Sequence, residues 1–463
     1  MERKRRRTRL PRVRVPFRSE PDPAQLATPQ MGGVAEPATP TISPGRWTES
    51  LRAFQHRNYR LFYAGQSISL IGTWMQTIAQ AWLVLQITNS QVALGVVTML
   101  QFLPITIFVL FAGVIADRVP KRNFLVLTQT LAMTQAIILA LLVLTHTVQL
   151  WHVYVLALML GFSNAFDMPT RQAFAIEMVG RKDLINAVAL NSGMFNGARL
   201  IGPAIGGFII SAFGVEAVFL LNGVSFVPVI ISLLAIRQSE LFTRERRAPG
   251  HPLAELKEGI AYSFRTPSIL LIIILVAMIG TFGYNFTVML PLVTKYVLNE
   301  GSVTLGILTA AVGFGALVAA LFLAGRKAAT RYQLFAGAIA FTLLLGGVAV
   351  SHNIYLTLAC LVGIGAAGST FGTTANTSIQ IAAPDELRGR VVSLYMLLFA
   401  GSTPIGGYLM GVLASTIGTQ QTIGLFAGLC GLGVVMGAAY YTLNKAAVQR
   451  SSEAPRARAK ASA

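Results

Sequence analysis

The decapeptide Gly113-Val-Ile-Ala-Asp-Arg-Val-Pro-Lys-Arg122 sets charged residues between two long apolar runs. Asp117 and Arg118 come first, then Lys121 and Arg122, and a further apolar run opens at Asn123. Two apolar runs joined by so short a break turn back on one another, with both joined ends on one side of a membrane. The acid and the bases then sit at helix termini, where they can hold neighbouring helix ends together and release them. A charged turn that merely fixes topology reads the same way, so the decision falls to the sequence on either side.

Of the 463 residues, 54% are hydrophobic and 12% charged, against roughly 25% charged in soluble domains. Apolar runs recur over 60–86, 93–116, 123–145, 150–168, 187–212, 216–236, 268–295, 303–325, 332–350, 354–380, 390–415 and 419–441. Each can cross about 30 Å of hydrocarbon as a helix. Lipid offers the backbone no hydrogen-bond partner, so the crossing elements are helices. The longest break between runs, 237–267, is rich in charge and divides the runs six and six. Gly202-Pro-Ala-Ile-Gly-Gly207 in the fifth run is echoed by Thr403-Pro-Ile-Gly-Gly407 in the eleventh. The expected fold is therefore an all-α membrane protein with twelve transmembrane helices in two six-helix pseudo-repeat bundles. The expected units are a disordered basic tail over 1–57, a bundle over 58–236, a linker over 237–267, a second bundle over 268–442 and a tail over 443–463.

The net charge is +19, and its distribution is more informative than its size. All but two of the 37 Lys and Arg fall in the tails and in alternate breaks, the exceptions being Arg199 and Lys295. Basic loops stay on the cytoplasmic side, which predicts both termini inside and accounts for the charge without nucleic acid. The tail opens Arg3-Lys-Arg-Arg-Arg7 and is then broken repeatedly by proline. It reads as disordered and suited to anionic lipid headgroups, at about 1 kcal/mol per charge near the surface. Cys360 and Cys430 lie inside apolar runs and form neither a disulfide framework nor a metal-ligand spacing. No phosphate loop or nucleophile–base constellation is present, so no cofactor, metal or enzymatic role is expected.

The remaining candidates are polar residues inside apolar runs. Gly202, Pro203, Gly206 and Gly207, with Pro404, Gly406 and Gly407 in the second half, combine close helix approach with a freed carbonyl and suit a hinge. Asp167, Arg171 and Glu177 end the fourth run and can exchange partners with the Asp117–Arg122 stretch. Arg199 is roughly mid-span, where a lone Arg costs on the order of 3 kcal/mol. It should face the interior or a watery cavity, as a contact for an anionic group or as a charge switch. Gln66, Thr73, Trp74, Gln76 and Gln80 form a polar stripe on the first run. Asn164, Asn196, Tyr284, Asn285, Thr373 and Asn376 add polar atoms from other runs. Such residues either bond neighbouring helices or line a cavity for a bulky, partly polar small molecule.

Several stretches carry a family resemblance. The spacing Gly113, Asp117-Arg118, Lys121-Arg122 resembles the signature loop between the second and third helices of the major facilitator superfamily, with Pro120 where Gly is usual. Arg199-Leu-Ile-Gly-Pro-Ala-Ile-Gly-Gly207 resembles its fifth-helix exporter signature, with Ala198 in place of the leading Gly. Phe54-Gln-His-Arg-Asn-Tyr-Arg-Leu-Phe62 and Asp167-Met-Pro-Thr-Arg-Gln-Ala-Phe174 are similar to the branch holding the bacterial enterobactin exporter and macrolide efflux proteins. The resemblance implies a bacterial cytoplasmic membrane, alternating access between two bundles, and proton-driven export of small amphipathic molecules such as siderophores, antibiotics or hydrophobic metabolites. In this reading Asp117, Arg118 and Arg122 latch the cytoplasmic gate. Ala157 stands where drug antiporters carry a fourth-helix Arg, so their coupling residues do not transfer. An importer on the same fold, or a non-transporting receptor or scaffold, is the alternative.

Overall fold

In the computed structural model, which describes residues 51–242, 252–324, 330–399 and 401–451, a 3-10 turn at Arg52–Gln55 leads into helix α1, Arg57–Thr88. Helices α2 (Gln91–Arg118), α3 (Lys121–Leu144), α4 (Leu150–Val179), α5 (Leu184–Phe213) and α6 (Val215–Leu234) complete the first half. A short helix α7, Pro252–Arg265, lies in the linker. The second half runs through α8 (Pro267–Gly283), α9 (Phe286–Leu292), α10 (Ser302–Ala324), α11 (Arg331–Val350), α12 (Ile354–Ala382), α13 (Asp385–Phe399), α14 (Thr403–Ile417) and α15 (Thr419–Leu443). No strand occurs among the described residues.

Ten spans among the described residues are long and apolar enough to cross a membrane. Helices α4 and α5, at 30 residues each, have the length as well. They are the helices diluted by Asn164, Asp167, Arg171, Asn196 and Arg199. The layout is consistent with the twelve expected crossings.

Two expected single spans are each broken. The seventh divides into α8 and α9 at Tyr284 and Asn285, where the Asn285 amide donates to the Thr281 carbonyl at 2.7 Å and competes with the backbone ladder. The eleventh divides into α13 and α14 ahead of Pro404, which has no N–H to continue the ladder. Pro203, by contrast, sits inside an unbroken α5. The two Gly-Pro-rich stretches that look alike in sequence therefore differ in structure. The first charged break is also shorter than the sequence suggests. Helix α2 continues through Arg118, leaving Val119 and Pro120 between α2 and α3.

The packing repeats with the sequence. In the first half α1 packs on α5 and α6, α2 on α4, and α3 on α4 and α6. Six spans later α8 packs on α13, α14 and α15, α10 on α12, and α11 on α12 and α15, which is the same set of neighbours. The halves meet along two seams, α5 against α10 and α2 against α14, which the repeat also relates to one another.

Both seams are built on glycine. A Cβ at Gly207 would lie 2.5 Å from the Ser302 carbonyl oxygen, and one at Gly306 would lie 2.5 Å from that of Pro203. A Cβ at Gly411 would lie 2.6 Å from the Gln91 oxygen, and one at Gly95 3.0 Å from that of Gly407. Backbones approach this closely only where side chains are missing, and dispersion between them then replaces contact with lipid. These positions lie toward one end of the molecule, the end of Asn89, Gly214, Leu298 and Gly418, here called the far end. The other end carries Lys121, Arg122, Arg181, Lys182, Arg237 and Arg388, and is the basic end.

Candidate functional site

Hydrogen bonds join the halves at the far end and midway along the seams. Asn89 caps α1 in the left-handed conformation, at φ 49°, which turns its carbonyl and amide toward the second half. Lys295 Nζ donates to Leu85 O and Asn89 Oδ1, both at 2.6 Å, and the Tyr296 hydroxyl donates to Asn89 O at 2.8 Å. The Ser302 hydroxyl donates to Gly207 O at 3.1 Å, and the Thr106 hydroxyl to Gly401 O at 3.0 Å. Sequence reasoning missed the far-end latch. Its one signal was that Lys295 is, with Arg199, outside the alternation of basic breaks.

Along α5 the seam ends near Arg199. A Cβ at Gly313 of α10 would lie 3.1 Å from the Arg199 carbonyl. Nearer the basic end, Gly197 and Gly193 have nothing within 4 Å, and Phe195 is 42% exposed. Arg199 thus stands where the α5–α10 seam gives way, toward the basic end, to a cleft open at Gly197 and Gly193. Its guanidinium lies 5.8 Å from the Trp74 ring centroid, and Phe195 meets Trp74 edge-on at 5.6 Å. In the second half Tyr284 stands at the break between α8 and α9. Tyr284 stacks on Phe341 at 5.2 Å, leans on Phe399 at 4.6 Å, and donates its hydroxyl to Gly368 O at 2.7 Å. On α12 Thr373 is exposed, and the Asn376 amide oxygen accepts from Gln380 at 3.1 Å. A hollow of about 250 Å³ between α10, α11 and α12, lined by Val318, Phe322, Gln333 and Thr370, holds none of the candidate residues.

The stripe on α1 is divided by this geometry. Trp74 and Thr73 are half-buried, with the Thr73 hydroxyl on its own helix at Ser69 O, 2.9 Å. Gln76 is buried and ties three helices of one bundle: it donates to Gln135 Oε1 at 2.7 Å and accepts from Asn222 at 2.6 Å. Gln80, also buried, donates to Gln101 Oε1 at 3.1 Å. Gln66 is buried with its Oε1 unpartnered. Gln76 thus turns into its bundle, away from the cleft expected for it, while Gln80 and Gln101 border a small hollow that Thr287 of the second half also lines. Asn285 likewise packs against Gly406, at the break it creates. Asn164 is half-buried on α4, and Asn196 donates to Ser192 O at 2.9 Å within α5.

The candidate charges of the basic end lie within the first bundle. Arg122 donates to Leu233 O at 2.8 Å and Leu234 O at 2.7 Å, satisfying carbonyls that end α6. Lys121 pairs with Glu177 at 2.8 Å, which joins α3 to α4. Asp167 is buried, pairs with Arg171 one turn on, and accepts from Thr128 at 2.9 Å and Gln129 at 2.7 Å. The Lys121–Glu177 and Asp167 contacts thus join α3 to α4, and Arg122 joins α3 to α6. Gly113, Asp117 and Arg118 lie in the last turns of α2, and their side chains are outside the described residues. Gly202 and Gly206 press against α1 at Trp74 and Met75, whereas Gly207 faces α10. The glycines of one helix thus serve both the inside of the bundle and the seam. Gly406 and Gly407 divide the same way, against Thr281 and Thr98.

Residues 48–461 match the family model described as "Transmembrane secretion effector". The chain belongs to this family of major facilitator transporters. It is 25% identical to the Staphyloferrin A transporter of Staphylococcus aureus, over 83% of this chain and 96% of that protein. It is 28% identical to the Multidrug efflux pump Tap of Mycolicibacterium fortuitum, over 79% and 91%. It is 22% identical to Macrolide efflux protein A of Streptococcus pyogenes, over 79% and 93%. A solved bacterial homologue of the human lysosomal transporter Spinster superposes with a TM-score of 0.61 at 13% identity, covering 87% of this chain and 98% of that one. The last likeness speaks to the fold alone. The transporter is a multi-pass membrane protein that moves small molecules and is not an enzyme.

Proposed function

We propose that this transporter is a secondary exporter of small amphipathic organic molecules, working by alternating access and driven by protons. The observation that carries the reading is the cleft with Arg199 at its apex, sealed by glycine seams at the far end and open at Gly193 and Gly197. Basic residues mark the cytoplasmic side, so both termini would be cytoplasmic and the cleft would load from inside a bacterial cell. The relatives named for drug and macrolide efflux support the same direction. In the opposite state the far-end seams would part and the basic ends would close, with Asp117, Arg118, Lys121 and Arg122 as latch and the Gly202–Gly207 and Pro404–Gly407 stretches as flexing points. The basic tail, residues 1–57, would lie on anionic lipid headgroups. An importer would use the same parts in reverse order.

The test is accumulation of a panel of lipophilic dyes and a labelled siderophore in efflux-deficient cells, with and without a protonophore. Lower accumulation in cells making the transporter, abolished by the protonophore, is the expected result. Lower accumulation that survives the protonophore would retain export and remove the proton. Higher accumulation would establish the importer.

A further inference from the structure

Arg199 is chemically incomplete. Among the described residues its guanidinium makes no hydrogen bond and no ion pair, and its one close partner is the Trp74 ring face. An arginine carries five N–H donors in a planar fork. Half-buried at the edge of the cleft, they are open to a ligand, whereas the buried Asp167 is already met by Arg171, Thr128 and Gln129. Neither α1, α5, α8, α9, α10, α11, α12 nor α14 contains an Asp or Glu. The cleft apex therefore has a fixed positive charge, free donors and no acid to balance them.

Trp74 is the aromatic wall beside this charge, and each half carries an aromatic pair. Trp74 and Phe195 stand on the first, Tyr284 with Phe399 on the second. Their faces suit a planar apolar body, and the Tyr284 hydroxyl is already committed to Gly368 O. A cationic solute would meet Arg199 with no carboxylate to offset the repulsion, so the site selects against cations as well as for anions.

We propose that the cargo is an amphipathic organic anion, its carboxylate or sulfonate held by Arg199 and its planar body lying between Trp74–Phe195 and Tyr284–Phe399. This rests on the transport reading above, and names the class of molecule carried. A charged acceptor supplies the bidentate bonds that the guanidinium lacks. Because the anion touches both halves at the apex, its release exposes Arg199 again, which favours reloading from the cleft.

The experiment uses the full-length protein in nanodiscs and three probes with one body: 2-naphthylacetate, 2-naphthylacetamide and 2-naphthylethylammonium. Binding is read by Trp fluorescence and by the shift in melting temperature, and transport is read separately in proteoliposomes with an imposed proton gradient. The acetate should bind about ten- to hundredfold more tightly than the amide, the range of one charge-assisted contact, and the ammonium least tightly. Arg199→Gln should bring acetate and amide together, Arg199→Lys should restore part of the gap, and Trp74→Leu should weaken all three. Equal binding of the three probes to the wild-type protein, or preference for the ammonium, overturns the proposal. An acetate preference that persists in a folded Arg199→Gln protein overturns it too. Anion-selective binding without transport in the proteoliposomes would keep the anion site and remove the export reading instead.

Discussion

At the scale of single residues, polarity inside an apolar run is easy to read, and the direction it faces is not. The α1 stripe has helical spacing, but spacing fixes relative angle and not which neighbour lies at that angle. Gln76 was as good a cavity candidate in sequence as Trp74. The structure separates them because Gln135 and Asn222, on α3 and α6, stand opposite Gln76. Those partners are distant in sequence and unremarkable there. Their bonds predict the behaviour of Gln76→Leu. The substitution leaves the Asn222 amide without its acceptor and the Gln135 oxygen without its donor in a buried site. Such bonds contribute about 0.6–2 kcal/mol each within membranes. The melting temperature of the purified protein should fall, while the affinity for the naphthyl probes should stay unchanged. A lost affinity with an unchanged melting temperature would place Gln76 in the cleft after all.

At the scale of elements, the membrane makes helices legible and leaves their breaks obscure. Every long apolar run became helix because the backbone has no other partner in lipid. Asn285 broke the seventh span through its own side chain, a local competition that average hydropathy does not register. Glycines divide more sharply still. Gly197 and Gly207 belong to one helix, yet one faces open space and the other faces the backbone of α10. This predicts opposite outcomes for similar changes. Gly197→Ala should leave the seam intact, since its Cβ meets nothing within 4 Å. Gly207→Val would drive side-chain atoms into the Ser302 carbonyl, 2.5 Å from the Cβ position. The far end should then stay open, read as a longer distance between spin labels placed on the ends of α5 and α10. Equal distances in wild type and Gly207→Val would show that the seam tolerates bulk and that it does not depend on glycine.

At the scale of the whole molecule, the repeated packing gives the two halves similar interiors and unlike ends. Beside the glycine seams and the Ser302 bond to Gly207 O, the far end is held by one lysine, one tyrosine and the left-handed cap of α1. A latch of three hydrogen bonds, two of them from the Lys295 ammonium, with net values of about 1–3 kcal/mol each, is strong enough to bias two states and weak enough to open. Alternating access requires it to open once per cycle, so holding it shut should stop turnover without emptying the site. Cysteines placed at Asn89 and Lys295, joined by a bifunctional thiol reagent, test this directly. The native Cys360 and Cys430 are buried and should not compete for the reagent. Cross-linked protein should bind the naphthyl carboxylate from the basic end with unchanged affinity and transport none of it, and cleaving the linker should restore transport. The uncross-linked double variant supplies the second half of the argument. Without the lysine and the asparagine, the far end should spend more time open, and binding from the basic end should weaken. If the cross-linked protein still transports, the far end is not a gate, and the cleft at Arg199 has another exit.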